Sequence, residues 1–116
     1  MTQIRRLLDR KGAHVWAIDP DDSVFNAITE MSSHDVGGLL VMQGDQIVGI
    51  VTERDYARNV ILRGKTSPET PVREIMTADV ICVTSAQTVL DCLKIMTEKR
   101  VRHLPVVDDD QLVGMV

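Results

Sequence analysis

Apolar residues recur along this chain at two spacings, and together the spacings predict alternating strands and helices. A helix with one buried face is indicated by the i, i+3, i+4, i+7 spacing of Val24, Ala27, Ile28 and Met31. Ser23, just before it, is a suitable helix N-cap. Apolar runs at 39–42 and 47–51 flank the turn residues at 44–45, which predicts a β-hairpin. A strand over residues 14–18 and a second helix over 53–62 complete this pattern.

The same pattern occurs a second time, 65 positions later and without a gap. Val15, Val24, Met31, Val36, Leu39, Val41, Asp45, Gln46, Val48, Gly49 and Val51 recur as Val80, Val89, Met96, Val101, Leu104, Val106, Asp110, Gln111, Val113, Gly114 and Val116. The second copy predicts a strand over 80–83, a helix capped by Thr88, and a hairpin of residues 104–107 and 112–116. The sequence ends at Val116, before a second helix of this copy.

A single copy would bury too little apolar surface by itself, so the two copies are expected to pack together. The predicted fold is therefore α/β (α+β), with two β-α-β-β-α repeats related by a pseudo-two-fold axis and packed sheet to sheet. The second repeat lacks its last helix in this chain. Packing of this kind creates clefts between the repeats, and such clefts are favoured ligand sites.

Composition and charge exclude several classes of function. The net charge of -4 argues against general binding to nucleic acid, which needs an excess of Lys and Arg. The apolar stretches are far shorter than the roughly 20 residues that cross a bilayer, and the N-terminus lacks the apolar core of a secretion signal. A cytoplasmic location is expected. Cys82 and Cys92 are predicted to be reduced thiols in the core, with no spacing suited to a metal.

Several segments resemble the signature of CBS (cystathionine-β-synthase) domains. They are residues 24–31, Gly49-Ile50-Val51-Thr52-Glu53-Arg54-Asp55, Val72-Arg73-Glu74-Ile75-Met76-Thr77, and Arg102-His103-Leu104-Pro105-Val106-Val107-Asp108 with Gly114. The resemblance implies a tandem pair, or Bateman module, over residues 1–116. Its first repeat covers about 13–66, its linker about 67–78 and its second repeat about 79–116.

The resemblance also implies a function. Such a module binds an adenosine-containing ligand between its repeats: AMP, ADP, ATP or NAD, with S-adenosylmethionine less favoured. It would regulate a partner protein and carry out no catalysis, in agreement with the lack of a recognisable catalytic motif in the sequence. The alternative is a ligand-independent scaffold that dimerises or docks onto an enzyme or transporter.

Thr52 and Asp55 are the first candidates for ligand contacts. Thr52 ends a strand and opens a helix, so its hydroxyl and the free N–H groups of the helix could face an anion. A carboxylate such as Asp55 can accept hydrogen bonds from both hydroxyls of a ribose, and the resemblance assigns this role to the pair. The alternative is a simple helix cap, as expected for Thr88 and Asp91, which have the same spacing.

By the same resemblance, further residues would surround the ligand. Arg102 and His103 would reach phosphate, while Ile50, Val80, Ile81 and Pro105 would form apolar walls around adenine. Arg54 and Arg58 could also converge on phosphate, because a guanidinium donates two parallel hydrogen bonds. The alternative for both arginines is an ordinary solvated surface position.

The second cleft is expected to differ from the first. Gly37 and Gly38 stand where the second repeat has Arg102 and His103, so no cation is offered there. Trp16 is interpreted as a core residue, with an adenine wall as the alternative. His14 and His34 are expected at surface or strand-edge positions. A homodimer is also expected, through the apolar residues Ala57, Val60 and Ile61 of the helix over 53–62.

Overall fold

A computed structural model describes residues 2–12 and 14–116 of the chain. Its helices are α1 (Ile4–Lys11), α2 (Val24–His34), α3 (Glu53–Tyr56) and α4 (Val89–Lys99), with a π-helical turn at Ala57–Ile61 and a 3-10 turn at Val72–Glu74. Its strands are β1 (Ala17–Ile18), β2 (Gly38–Gln43), β3 (Gln46–Thr52), β4 (Pro105–Asp108) and β5 (Gln111–Met115). The chain forms two compact units: a first-repeat unit, Trp16–Val80, and a second-repeat unit, Met1–Val15 with Ile81–Val116.

The first-repeat unit contains a three-stranded sheet in the order β1-β2-β3. β1 runs parallel to β2, and β2 pairs antiparallel with β3 through a turn that includes Gly44 at a φ of 61°. Ser23 caps α2 by accepting a hydrogen bond from the Asn26 N–H. The apolar face of α2 packs into a core with residues of all three strands, which include Ile18, Leu39, Val41 and Val51. The predicted helix and hairpin are confirmed.

The second-repeat unit repeats the helix and hairpin, but its first strand is reduced. β4 and β5 pair antiparallel, and Thr88 caps α4. The strand predicted over 80–83 is wrong, because the structure records only a parallel bridge between Val83 and Val106. Leu40 donates its N–H to the Trp16 carbonyl in the first repeat. The matching residue in the second repeat is Pro105, which has no N–H to donate.

Each unit is completed by a segment that precedes the other repeat in the sequence. Residues 70–77 pack on the first-repeat unit, and residues 2–9 pack on the second-repeat unit; we call these the flanking segments. Matching positions in the two segments are 68 residues apart. The Val72 N–H donates to the Asp22 carbonyl at 2.8 Å, and the Ile4 N–H donates to the Gln87 carbonyl at 2.9 Å. Val72 and Ile4 are both fully buried.

The helix after β3 does not expose all three residues that were predicted to form a dimer surface. It is α-helical only over Glu53–Tyr56 and continues as the π-helical turn, in which the Leu62 N–H reaches back to the Ala57 carbonyl. The wider turn leaves Ala57 and Ile61 exposed but places Val60 in the core, where it is 1% exposed. The assignment of Val60 to an external surface is therefore wrong. Within residues 2–12 and 14–116, no helix combines the length and apolar character needed to cross a membrane.

Only one of the two cysteines lies in a core. Cys92 packs among Leu104, Val106 and their neighbours, whereas Cys82 is exposed. The prediction of two core thiols is thus wrong for Cys82, which lies in the irregular stretch where the predicted strand is missing. Desolvation raises the pKa of both thiols, and the carboxylate of Asp91 raises that of Cys92 further.

We expect the two thiols to react at very different rates. In the native protein, one equivalent of a disulfide reagent such as dithionitrobenzoate should react quickly, at Cys82, and the second equivalent should react only after unfolding. Absorbance at mildly alkaline pH measures both steps. Cys82→Ser should remove the fast phase alone. Two fast equivalents in the native protein would contradict the burial of Cys92.

Candidate functional site

Thr52 and Asp55 bind each other at the junction of β3 and α3. The Asp55 N–H donates to Thr52 Oγ1 at 3.2 Å. Asp55 Oδ2 accepts from the Thr52 N–H at 2.9 Å and from Thr52 Oγ1 at 3.0 Å. This reciprocal pair is a capping box, and both side chains are half-buried. The capping role is therefore real, and it fixes the position and orientation of the Asp55 carboxylate.

The capping box leaves one side of the carboxylate available. Among the described residues, no group donates a hydrogen bond to Asp55 Oδ1, so this oxygen can accept one from a ligand. The N–H groups at the start of α3 are less available than the sequence predicted. Those of Thr52 and Asp55 are bonded within the box, and that of Glu53 donates to the Gly37 carbonyl at 3.1 Å. This geometry favours a hydroxyl donor as ligand over an anion.

A second capping box, at Thr88 and Asp91, provides an internal comparison. The Asp91 N–H donates to Thr88 Oγ1 at 3.1 Å, and Asp91 Oδ2 accepts from the Thr88 N–H at 2.9 Å. Hydrogen bonds to the Asp91 carboxylate from the backbone and the side chain of Thr88 lower the pKa of Asp91. The two boxes match in spacing and geometry, so the difference between them lies in their surroundings. Asp55 follows the hairpin of its repeat, whereas Asp91 precedes one.

The other predicted site residues divide between the two units. Ile50 and Val80 are half-buried and Arg54 is exposed, and all three belong to the first-repeat unit together with Thr52 and Asp55. Ile50 is fixed by two backbone hydrogen bonds with Thr77, at 2.8 and 2.9 Å. The backbone of Ile50 is therefore paired on both sides, with β2 and with the flanking segment of residues 70–77.

The remaining candidates belong to the second-repeat unit. Arg102 is exposed, Ile81 and His103 are half-buried, and Pro105, the first residue of β4, is fully buried. Among the charged residues that the structure describes, neither Arg54 nor Arg102 forms an ion pair with a carboxylate. Their guanidinium groups are thus able to bind an external anion. Arg58 is exposed as well.

A polar cluster that the sequence did not reveal anchors α1. The Ser85 N–H and hydroxyl both donate to the Asp108 carboxylate, at 2.9 and 2.5 Å, and Arg5 donates to Ser85 Oγ at 3.4 Å. The hydrogen bonds from the Ser85 hydroxyl and N–H lower the pKa of Asp108, and the charge of Arg5 lowers it further. Ser85 is only 5% exposed. Each member already has a partner, so this cluster is structural.

A second cluster involves Trp16, which is not a core residue as interpreted. The residue is 36% exposed, and its indole stacks on the His34 imidazole, with ring centroids 3.4 Å apart and planes 8° from parallel. His34 Nε2 in turn lies 2.9 Å from Glu30 Oε2 on the same helix. The Glu30–His34 spacing of four residues is visible in the sequence, but its link to Trp16 is not. The half-buried position of His34 agrees with the surface position expected for it.

Comparison with known proteins shows which family the chain belongs to. The family model for the CBS domain matches residues 5–61 and 72–116. Over 110 residues, the chain is 42% identical to the mitochondrial CBS domain-containing protein CBSX3 of Arabidopsis thaliana. That match covers 90% of this chain and 53% of the relative, so the chain spans about half the length of this curated protein.

Solved structures match over nearly the whole chain. A protein with CBS domains from Burkholderia ambifaria has a TM-score of 0.97 and 44% identity, over 99% of this chain and 87% of the other. The CBS domain pair of protein MJ0100, solved with 5'-methylthioadenosine and S-adenosyl-L-methionine, has a TM-score of 0.86 and 24% identity, over 100% of this chain and 89% of the other. The expected mixed α/β fold with two repeats is confirmed.

Proposed function

Because this chain belongs to the CBS domain family, we propose that it is a regulatory module that binds an adenosine-containing ligand and catalyses no reaction itself. The observation that carries the proposal is the free Oδ1 of Asp55, held in place by the Thr52 box. The ligand class extends to this chain what is recorded for the MJ0100 pair. AMP, ADP, ATP and NAD share the adenosine on which the proposal depends, as does S-adenosylmethionine.

The ribose is the part of the ligand that Asp55 would hold. A carboxylate accepts hydrogen bonds and donates none, so it selects hydroxyl groups over phosphate oxygens. A charged hydrogen bond of this kind contributes roughly 1.5–3 kcal/mol. Oδ2 already accepts two hydrogen bonds from Thr52, so the box orients Oδ1 without requiring the ligand to order the side chain. Thr52 would therefore position Asp55.

The other predicted residues supply the remaining contacts in this proposal. Ile50 and Val80, with Ile81 and Pro105 of the second-repeat unit, would contact the adenine ring. Arg102, His103 and Arg54 would contact phosphate. Residues from both units would thus share one ligand, and binding would favour the arrangement of the units that it fits best. A partner protein that distinguishes the arrangements would respond to the nucleotide.

A ligand-independent scaffold is the second candidate, and exposed apolar side chains favour it. Ile61 and Leu62 are 57% and 77% exposed, and Phe25, Leu90 and Leu93 are also exposed. Burying such residues in a dimer or against a partner protein would stabilise either assembly. The homodimer and the cytoplasmic location stay predictions, and the Arabidopsis thaliana relative is mitochondrial.

Asp55→Ala and Asp91→Ala together test the nucleotide proposal. Each substitution removes one side of a capping box, so each should lower the free energy of unfolding by about 1 kcal/mol. Only Asp55→Ala should weaken binding, by about thirtyfold for AMP, because only Asp55 would contact ribose. Calorimetric titration of AMP, ADP, ATP, NAD and S-adenosylmethionine into wild type and both variants measures the affinities, and thermal unfolding without ligand measures the stabilities.

The control separates ligand contact from capping. If both variants bind AMP equally well, Asp55 acts as a cap only and has no place in a ligand site. If wild type binds none of the five compounds, the scaffold function replaces the nucleotide function. Product analysis after incubation with ATP or NAD should find the ligands unchanged, since turnover would contradict a module without catalysis.

A further inference from the structure

The Glu53 carboxylate lies where β2 begins, beside the capping box of Thr52 and Asp55. Gly38, the first residue of β2, pairs with Thr52 across the sheet. The Glu53 N–H donates to the Gly37 carbonyl at 3.1 Å, and a Cβ on Gly37 would lie 3.2 Å from Glu53 Oε1. The Glu53 side chain therefore occupies the space that a side chain at residue 37 would enter.

The two repeats differ in charge at this place. At the repeat offset of 65 positions, Gly37 and Gly38 match Arg102 and His103. The strand is thus preceded by basic residues in the second repeat and by a carboxylate in the first. Glu53 is exposed, and within the described part of the chain no Lys or Arg forms an ion pair with it. Its charge can therefore act on a ligand.

We propose that Glu53 is a specificity residue, which disfavours adenosine ligands in proportion to the negative charge at their 5′ end. The inference rests on the proposed function, because it requires the ligand ribose to lie on Asp55. Glu53 and Asp55 share the first turn of α3. The 5′ substituent of that ribose would lie within about 10 Å of the Glu53 carboxylate, which is the Debye length at 0.1 M salt. Each unit of ligand charge should then change the affinity by about twofold.

Ligands of the same adenosine class differ in the sign of this effect. The phosphates of AMP and ATP are repelled by the carboxylate, and ATP more strongly because it carries more charge. Adenosine has no charge at its 5′ end, and the sulfonium of S-adenosylmethionine is attracted. The cations proposed above to contact phosphate attract every nucleotide, whereas Glu53 limits the charge that is accepted. Glu53 thus favours AMP over ATP.

Calorimetric titration of adenosine, AMP, ATP and S-adenosylmethionine into wild type and Glu53→Gln tests this inference. Glutamine keeps the size of the side chain and the backbone N–H that binds Gly37. At about 0.1 M salt, ATP should bind Glu53→Gln about tenfold more tightly than wild type, and AMP about threefold more tightly. Adenosine should be unaffected, and S-adenosylmethionine should bind about twofold more weakly. A general loss of structure would move all four affinities in one direction. Salt at about 1 M should abolish the differences.

Asp45→Asn is the matched control. It removes an exposed carboxylate from the turn at the other end of the same hairpin, roughly 17 Å along the strands from Gly38. It should leave all four affinities unchanged, because a charge at that distance is screened.

The outcomes separate this inference from the proposed function. Equal effects of Glu53→Gln on all four ligands, or effects of Asp45→Asn as large as those of Glu53→Gln, would overturn the inference and leave ribose binding by Asp55 intact. If wild type binds none of the four ligands, the proposed function fails and the inference fails with it. If Asp55→Ala binds AMP as well as wild type does, opposite signs for ATP and S-adenosylmethionine would support the role of Glu53 and refute the ribose contact.

Discussion

Ile4→Ala should destabilise the protein more than any surface substitution, with a loss of about 3 kcal/mol in the free energy of unfolding. Ile4 is fully buried although it lies near the start of the chain. It packs with Leu8, Val83, Leu104 and other residues of the second-repeat core. Truncation to alanine removes apolar contacts and leaves a cavity, because the surrounding residues can relax only in part. Chemical denaturation measures the change.

Backbone hydrogen bonds hold the segment around Ile4 in place. The Ile4 N–H donates to the Gln87 carbonyl at 2.9 Å, the Arg5 N–H to the Ser85 carbonyl at 3.0 Å, and the Val89 N–H to the Thr2 carbonyl at 2.9 Å. These bonds join the flanking segment to the turn before α4, so the helix cannot shift to fill the cavity without breaking them. The loss in free energy of unfolding should therefore lie near the middle of the usual range for replacing a buried isoleucine by alanine.

Arg6→Ala is the control for this prediction. Arg6 lies in the same helix but is exposed, and alanine keeps the helix propensity high. We expect a change within about 0.5 kcal/mol. If Ile4→Ala and Arg6→Ala had equally small effects, α1 would contribute nothing to the core of the second-repeat unit, contrary to the structure.

The sequence predicted the parts of the fold whose signals are local. Both long helices begin at a residue that caps them, Ser23 or Thr88, because cap and first turn are adjacent in sequence. Both hairpins follow from apolar runs around a turn. The 65-residue repeat then extended each prediction from one half of the chain to the other. Pro105 interrupted that symmetry, since a missing N–H changes strand pairing without disturbing the apolar pattern.

Features that depend on distant contacts were not predicted. Residues 2–9 pack against a turn some eighty positions later. They match residues 70–77 at pairs such as Thr2 and Thr70, Ile4 and Val72, or Arg5 and Arg73, but at an offset of 68 positions, outside the gapless 65-residue repeat. Val60 was placed on the wrong side because a π-helical turn changes the spacing of buried positions. Trp16 was assigned to the core because the sequence does not show that it stacks on His34, a residue of another element.

The candidate site was predicted only as far as spacing allows. Thr-x-x-Asp predicts a capping box at Thr52 and at Thr88, and the structure has both. The same spacing cannot separate a box that also binds ribose from one that does not. That distinction depends on which groups surround the remaining carboxylate oxygen, so it requires the structure and then a ligand.

Gly49→Ala should be the second most damaging of these substitutions, with an expected loss of about 3 kcal/mol, at the upper end of the cost of overpacking. A Cβ at Gly49 would lie 2.7 Å from Met76 Sδ and 2.9 Å from the Thr77 carbonyl oxygen. The thioether can rotate away, but the carbonyl is fixed by its hydrogen bond from the Ile50 N–H at 2.9 Å. The strand and the flanking segment would have to separate at Ile50.

Gly114→Ala, at the matching position of the second repeat, is the control. The three atoms nearest to a Cβ there all belong to the flexible side chain of Leu8, the closest at 2.8 Å, whereas the backbone carbonyl of Thr77 is among the three nearest at Gly49. We expect a smaller loss of about 1 kcal/mol. Equal losses for Gly49→Ala and Gly114→Ala would contradict the role given to the Thr77 carbonyl.

Double variants identify the atoms responsible. Leu8→Ala removes the atoms that a Cβ at residue 114 would meet, so Gly114→Ala should cost little more in that background. Met76→Ala should relieve Gly49→Ala only in part, since the Thr77 carbonyl stays in place. Because that carbonyl also fixes Ile50, Gly49→Ala should weaken AMP binding beyond its effect on stability, whereas Gly114→Ala should not. Calorimetric titration at a temperature where each variant is folded measures this difference.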